Sequence, residues 1–318
     1  MRSAIFLVPI ANVSVAVREV LVGKHDWLMI TLTFIVMTIY AVIAIRSSAK
    51  TLSEERLITQ NETTIDEAQD GQARFSRHVL QWYLVMWALL FAAGSNLEVL
   101  ATLQRQLLFN QLFIFLAVPI FIIWRYRLDP KRALSLKSVN LSTWVAVILV
   151  VPAGQLLGVG VFRLANLVFP VPPQALEQFG SQIMVNEIPR WQLYLLIALL
   201  PAVCEEIAFR GLLLYGLRKR FKPIVLVLVV GLVFGLFHFQ LFRIIPTGFL
   251  GVVLSGILVM TGSIFPGMVA HAGNNALTIV LAENGFALHK LDVWVYFAAG
   301  LVFSLCMYII YRNRISGD

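Results

Sequence analysis

Charged residues and cysteines are both scarce in this sequence. Only 13% of the 318 residues are charged, while 59% are hydrophobic and the mean hydropathy is +0.83. This balance excludes a soluble domain of this length and predicts an integral membrane protein. The two cysteines, Cys204 and Cys306, both lie in apolar stretches, which excludes a disulfide framework and a paired-cysteine metal site. The first apolar run lacks a small-residue cleavage site, so no cleavable signal peptide is predicted.

Long apolar runs, by contrast, are abundant. A transmembrane helix needs about 20 predominantly apolar residues, and nine runs are candidates. They cover residues 27–45, 79–99, 107–124, 142–163, 191–217, 223–240, 248–263, 267–283 and 292–311. The sequence therefore predicts an all-α integral membrane protein, with eight transmembrane helices from residue 79 onward and one extra helix before them.

Basic residues are distributed unevenly between the two ends of these runs. If the spans alternate, one side collects Arg125, Arg127, Lys131, Arg132, Lys137, Arg218, Lys219, Arg220, Lys222, Arg312 and Arg314. From residue 79 onward the other side has only Arg105, Arg163, Arg190, Arg243 and Lys290. The positive-inside rule places the first side and the C-terminus in the cytoplasm of a multi-pass protein of the cell (inner) membrane. Topology and attraction to anionic lipid explain the net charge of +8, so nucleic-acid binding is not required.

The segment 46–78 is the one clear break in composition. It mixes acidic and basic residues with Gln, Asn and Thr and lacks the apolar content to bury itself. We therefore predict four parts: a segment with one transmembrane helix at 1–50, a polar cytoplasmic linker at 51–78, a membrane core at 79–311 and a basic cytoplasmic tail at 312–318.

Three ionisable residues lie within the apolar run 191–217. Glu206 and Arg210 are four residues apart and share a helix face, whereas Glu205 points about a quarter-turn away from Glu206. Glu206 is therefore predicted to neutralise Arg210, leaving Glu205 to face a cavity. Pro201 cannot donate a hydrogen bond to the carbonyl of Ile197, which predicts a kink or a freed carbonyl beside these residues.

Two further polar pairs occur in later apolar runs. His271 and Asn275 are four residues apart on one helix face, and His238 follows Phe234 by one turn. A single intramembrane His or Asn commonly serves helix packing, and Phe234 is also predicted to be a packing residue. Two His, one Asn and one Glu on three helices, however, provide a base that activates water, an imidazole that holds it and donors for an oxyanion. These groups are what acyl hydrolysis requires.

The three clusters form the patterns EExxxR, FxxxH and HxxxN in this order, from Glu205 to Arg210, Phe234 to His238 and His271 to Asn275. This triple pattern resembles the CPBP family of intramembrane proteases, which includes the CAAX-type prenyl endopeptidases and the bacteriocin-processing or immunity (Abi) proteins. The resemblance covers about residues 79–311. It implies an eight-helix core with a catalytic cavity inside the membrane and a peptide or membrane-protein substrate.

The resemblance also implies roles for the motif residues. Four would be catalytic and two supporting: Glu205, His238, His271 and Asn275, with Glu206 and Arg210. The first glutamate and the histidine of the second motif would activate the attacking water, while the pair of the third motif would stabilise the oxyanion. The implied function is that of an intramembrane endopeptidase.

The first sixty or so residues resemble a different family. The run VPIANVSVAVREVLVG, one further span and the acidic LSEERLI are similar to the closing segment of ABC-2 type permeases of the sodium-export kind. This resemblance implies a permease-tail-like segment, a permease and protease fusion, and an ABC transporter ATPase or permease as a partner. One span cannot form a transport path, so no export activity follows for this chain alone.

The residues leave open whether the site uses a metal. Glu205, His238 and His271 are a candidate ligand set for an open zinc site. The zinc-protease spacing HExxH is absent, however, and a glutamate in a low-dielectric cavity can activate water without an ion. We therefore favour a site with no metal and no cofactor, with zinc as the alternative.

Two other functions use the same residues. Cys204 adjoins Glu205 and is a candidate thiol nucleophile, although its apolar setting favours packing. A non-catalytic subunit or proton-relay component of an ABC-type transporter would also contain intramembrane Glu and His. Geometry distinguishes these functions, because a protease needs its site residues around one water-sized pocket, whereas a relay spreads them along the membrane normal.

Overall fold

The computed structural model describes residues 71–96, 102–172, 188–239, 241–286 and 288–313, together with a few isolated positions. The chain forms two compact units, 1–69 and 70–318, and the helices named below all belong to the second unit. Most of the predicted span 27–45 and most of the permease-like segment lie outside the described residues.

Every regular element in the described part of the chain is helical. The eight main helices are α1 Gly71–Asn96, α2 Leu103–Arg125, α3 Leu141–Val168, α4 Arg190–Leu217, α5 Pro223–Leu236, α6 Leu241–Thr261, α7 Phe265–Glu283 and α8 Val293–Arg312. Each overlaps one of the eight runs predicted from residue 79 onward, and the all-α membrane fold is confirmed. Among the described residues, five helices are long and apolar enough to cross a membrane, namely α2, α3, α4, α6 and α8.

Helix α1 begins earlier than the sequence predicts. Composition predicts a polar linker up to residue 78, but α1 starts at Gly71. The reason is an apolar stripe at helical spacing that begins inside the charged segment, with Phe75 and Val79 both fully buried and Tyr83 following four residues later. Charged neighbours on the other faces of the helix conceal this stripe when composition alone is considered.

Two groups of buried side chains hold the helices together. The first joins α1, α2, α4 and α5 through large residues such as Phe75, Ile122 and Phe209. The second joins α3, α6, α7 and α8 through Val147, Leu254 and other aliphatic residues. Because a helix surrounded by lipid gains little from the hydrophobic effect, close packing of such side chains is the main source of helix association.

Helices α5 and α6 approach each other unusually closely. A Cβ atom at Gly235 would lie 2.5 Å from the carbonyl oxygen of Ile244, and one at Gly251 would lie 2.8 Å from the Cα of Gly231. Small residues are what permit such backbone contact between membrane helices. The close crossing brings the His238 end of α5 and the backbone of Gly251 next to α4.

Helices α2 and α4 both contain π-helical segments. In α2 the segment is Phe109–Ala117, and in α4 there are two, Tyr194–Leu199 and Ile207–Leu213. Segments of this kind are rare and frequently occur at functional sites. Several of the polar side chains described below come from these segments or from the turns beside them.

Candidate active site

The polar cluster is organised around Glu206, which is completely buried. Its Oε1 accepts a hydrogen bond from Nη1 of Arg210 at 2.9 Å, the ion pair that the four-residue spacing predicts. The same oxygen lies 3.0 Å from Nδ1 of His271 on α7. A carboxylate paired with arginine only accepts hydrogen bonds, so Nδ1 of His271 is the donor. Glu206 therefore fixes the tautomer and orientation of His271 as well as the charge of Arg210.

Arg210 links three helices. Its Nη2 donates to the carbonyl of Gly251 on α6 at 3.2 Å, and its guanidinium carbon lies 4.3 Å from the ring centroid of Phe234 on α5. The Phe234 ring also contacts the imidazoles of His238 and His271 edge to face, with centroid distances of 5.0 and 5.8 Å. Phe234 is thus a packing residue, as predicted, and what it packs against is the site.

Glu205 faces away from this pair. Its Oε1 accepts a hydrogen bond from Nε2 of Gln111 at 2.7 Å, and its Oε2 lies 3.9 Å from Nε2 of His271. The spacing predicts different partners for the two adjacent glutamates. The prediction is correct for Gln111, which bonds to Glu205, and for Arg210, which bonds to Glu206. His271 is a shared partner, because its ring lies between the two carboxylates and presents one nitrogen to each.

His238 lies at the turn that ends α5. Its backbone N–H donates to the carbonyl of Gly235, and the next residue, Phe239, has a φ of 53° that breaks the helix. Nδ1 of His238 is 3.0 Å from the carbonyl oxygen of Phe234. Because a carbonyl oxygen accepts, Nδ1 is the donor, and Nε2 of the neutral ring is left as an acceptor.

Asn275 donates a hydrogen bond to the carbonyl of Ile197, to which Pro201 cannot donate because it has no backbone N–H. Its Nδ2 donates to the oxygen of Ile197 at 3.0 Å, so α7 satisfies the carbonyl that lacks its usual helical donor in α4. One N–H of the amide remains for another acceptor. Asn274 donates to Oδ1 of Asn275 at 3.3 Å, which fixes the orientation of the amide.

The four predicted catalytic residues converge on one cavity of about 740 Å³, lined by Glu205, His238, His271 and Asn275 together with side chains of α2, α4 and α6. This volume lies within the range of pockets that bury small ligands. A neighbouring cavity of about 300 Å³ has mainly apolar walls, and Arg243, Thr247 and Asn274 line both cavities.

Several polar residues that line the cavity belong to none of the three sequence motifs. Asn110 and Gln111 stand together in the otherwise apolar run 107–124, a signal comparable to that of His271 and Asn275. The sequence groups Arg243 with the loop charges of the non-cytoplasmic side, yet it lies in the first turn of α6 and lines the cavity. Nothing in the sequence marks it as different from the other loop arginines.

The zinc alternative does not fit the side chains as they are placed. Among the described residues, no group of three His, Cys, Asp or Glu side chains is arranged so that it could hold a metal ion. Cys204 is 1% exposed, packs in the first core cluster and is not among the residues that line the cavity. Its placement therefore favours the packing role over that of a nucleophile.

A family comparison covers the part of the chain that carries all three motifs. Residues 187–277 match the family model described as Type II CAAX prenyl endopeptidase Rce1-like. This match confirms the resemblance to the CAAX-type intramembrane proteases. No match was found among curated proteins or among solved structures. The permease resemblance of the first sixty residues stays a prediction.

Proposed function

We propose that this chain hydrolyses peptide bonds inside the membrane with water activated by Glu205. The proposal starts from the match of residues 187–277 to the type II CAAX prenyl endopeptidase Rce1-like family model. The observation that carries the proposal is the 3.9 Å separation of Glu205 Oε2 and His271 Nε2 on the wall of the 740 Å³ cavity. This separation is too long for a direct hydrogen bond. A water molecule about 2.8 Å from each atom fits between them.

Both atoms are acceptors toward such a water. Nδ1 of His271 donates to Glu206, so in the neutral form of the ring Nε2 presents a lone pair to the cavity. A water that donates one hydrogen to Glu205 and the other to His271 directs its own lone pairs away from them, toward a bound carbonyl carbon. This geometry favours a role for His271 in water activation, in place of the oxyanion role that the resemblance implies.

The reaction follows from these contacts. Glu205 takes a proton from the water as the oxygen adds to the carbonyl carbon, and the second N–H of Asn275 stabilises the oxyanion. Glu205 then gives the proton to the leaving nitrogen as the carbon–nitrogen bond breaks. His238 keeps its implied role in water activation, with Nε2 as a further proton acceptor at the cavity. Glu206 and Arg210 support the site by holding His271.

Substrates of this site are peptides with an apolar segment. The catalytic cavity adjoins the apolar 300 Å³ cavity, which suits an aliphatic side chain or a lipid chain attached to the peptide. The family name adds prenylated C-termini to the candidates. Internally quenched peptides with an apolar C-terminal segment, with and without a farnesyl group, therefore test the proposal in proteoliposomes that contain the purified chain. Cleavage of at least one series is expected.

The alternative function, a proton-relay component or non-catalytic subunit of an ABC-type transporter, is tested on the same proteoliposomes. A relay would acidify or alkalinise vesicles loaded with a pH-sensitive dye when a membrane potential is applied, and an ABC transporter ATPase or permease would purify with the chain. Peptide hydrolysis without proton flux is the expected result. Proton flux that depends on Glu205, without hydrolysis, would favour the relay.

Hydrolysis is also expected to be independent of metal. Incubation with a strong zinc chelator should leave the rate of peptide cleavage unchanged, because the described acidic and histidine side chains form no group placed to hold a metal ion. Elemental analysis of the purified chain should find zinc far below one atom per chain. Stoichiometric zinc whose removal abolishes cleavage, and whose return restores it, would contradict the metal-free mechanism.

A further inference from the structure

Gln111 is a buried amide in the middle of an apolar helix. Its side chain belongs to the π-helical segment Phe109–Ala117 of α2, is 4% exposed and lines the catalytic cavity. Burying an amide costs free energy unless hydrogen bonds compensate for it, so a glutamine at such a place calls for a specific partner. The residue lies outside the range 187–277 that matches the protease family.

The partner of Gln111 is the Glu205 carboxylate. Nε2 of Gln111 donates to Oε1 of Glu205 at 2.7 Å. While Glu205 is ionised the amide cannot be reversed, because its carbonyl oxygen would then face a carboxylate oxygen and both would be acceptors. One oxygen of Glu205 is thereby occupied, and the other, Oε2, is the one that lies 3.9 Å from His271.

We propose that Gln111 is a positioning residue for the catalytic carboxylate, holding Oε1 so that Oε2 is the oxygen that takes the proton of the attacking water. The inference rests on the proposed hydrolytic function and deepens it. A carboxylate free to rotate would present either oxygen to the water in several geometries. A hydrogen bond to Oε1 selects one of them before the substrate binds.

A second observation supports a role in the cavity over a role in packing. Oε1 of Gln111 is buried and accepts no hydrogen bond from any described residue. A buried amide oxygen on the cavity wall can accept a hydrogen bond from a group bound in the cavity. Gln111 therefore contacts both the catalytic carboxylate and the space that a substrate would occupy.

Two substitutions at residue 111 test the inference, with kcat, KM and thermal stability measured on the quenched peptide that the parent cleaves best. Gln111→Leu removes the donor and keeps a side chain of similar size. Gln111→Glu restores a donor only while the pair of carboxyl groups retains one proton. The matched control is Gln104→Leu, the same change on the preceding turns of α2 at a residue that does not line the cavity.

Gln111→Leu is expected to lower kcat by about 10²-fold, as displaced catalytic groups generally do, while KM stays close to that of the parent. Gln104→Leu should keep the parental kcat. For Gln111→Glu, the ratio of its kcat to that of the parent should fall as pH rises, because full ionisation sets two carboxylates against each other. The other titratable or charged groups around Glu205 are His271, Cys204, Arg243, Arg210 and Glu206, and they are the same in both proteins.

A parental kcat in Gln111→Leu would overturn the inference while leaving the proposed hydrolysis intact. If Gln111→Leu loses thermal stability, the test of the inference is Gln111→Glu. In that case, a folded Gln111→Glu protein whose kcat relative to the parent does not change with pH would overturn the inference. Absence of hydrolysis in the parent itself would overturn the proposed function, and this inference with it. The inference is supported when the parent cleaves, Gln104→Leu cleaves equally and both changes at residue 111 act on kcat.

Discussion

Glu205→Gln is expected to fold like the parent and to lose peptide hydrolysis by a factor of about 10²–10⁴, the usual contribution of a general base. The substituted amide has the shape of the carboxyl group and can still accept the hydrogen bond from Gln111 through its oxygen. What it lacks is a basic oxygen for the proton of the water. The loss should therefore appear in kcat, with little change in thermal stability in detergent.

The matched control for this change is Glu283→Gln. Glu283 lies at the end of α7, in the same structural unit, and its carboxylate is 3.6 Å from the exposed Arg190. It is not among the cavity residues, so the same change of Glu to Gln should leave cleavage unaffected there. Normal cleavage by a folded Glu205→Gln protein would show that Glu205 is not the base, and the mechanism would have to move to another residue.

Local spacing is sufficient to predict the contacts within a single helix. The four-residue separation of Glu206 and Arg210 predicts the ion pair, and the position of Pro201 indicates that the carbonyl of Ile197 needs another partner. The eight apolar runs from residue 79 onward also predict the eight main helices, since a span must satisfy its backbone internally and present apolar side chains to lipid, although α1 begins earlier, at Gly71. These features depend on neighbours in sequence.

Residue spacing within one helix does not predict the contacts between helices. Gln111 is 94 residues from Glu205 in sequence, and no spacing rule relates two helices whose crossing is set by contacts elsewhere. The sequence identifies His271 as a site residue, but its position between the two glutamates requires the three-dimensional structure. Arg243 is predicted to lie in a loop because a charge near the end of an apolar run is normally outside the membrane.

The hydrogen-bond partner of Nδ1 also changes the role that we assign to His271. Sequence similarity implies an oxyanion role, which needs a donor at the free ring nitrogen. The contact of Nδ1 with Glu206 makes the opposite nitrogen an acceptor in the neutral ring. The assignment of roles within a motif therefore depends on a partner that belongs to another motif.

The second large effect is expected for Glu206→Gln, which should lower both stability and activity. Breaking a buried ion pair from one side typically costs about 3–5 kcal/mol, because the remaining charge has no counter-ion. Arg210 and Glu206 have side chains with no exposed surface, so water cannot compensate. The bond to Gly251 and the contact with Phe234 stay in place, but neither carries a negative charge. Thermal unfolding in detergent measures the loss.

A double variant separates the two roles of Glu206. Replacing the pair together, as Glu206→Met with Arg210→Met, removes both charges and the acceptor for Nδ1 of His271, and exchange of a buried pair for apolar side chains of similar size is often neutral for stability. The double variant should therefore unfold closer to the parental temperature than Glu206→Gln alone. Its hydrolysis should stay impaired, since His271 has lost the carboxylate that holds Nδ1 and directs Nε2 toward Glu205. Recovery of both stability and full activity would show that Glu206 serves only to neutralise Arg210 and does not orient His271.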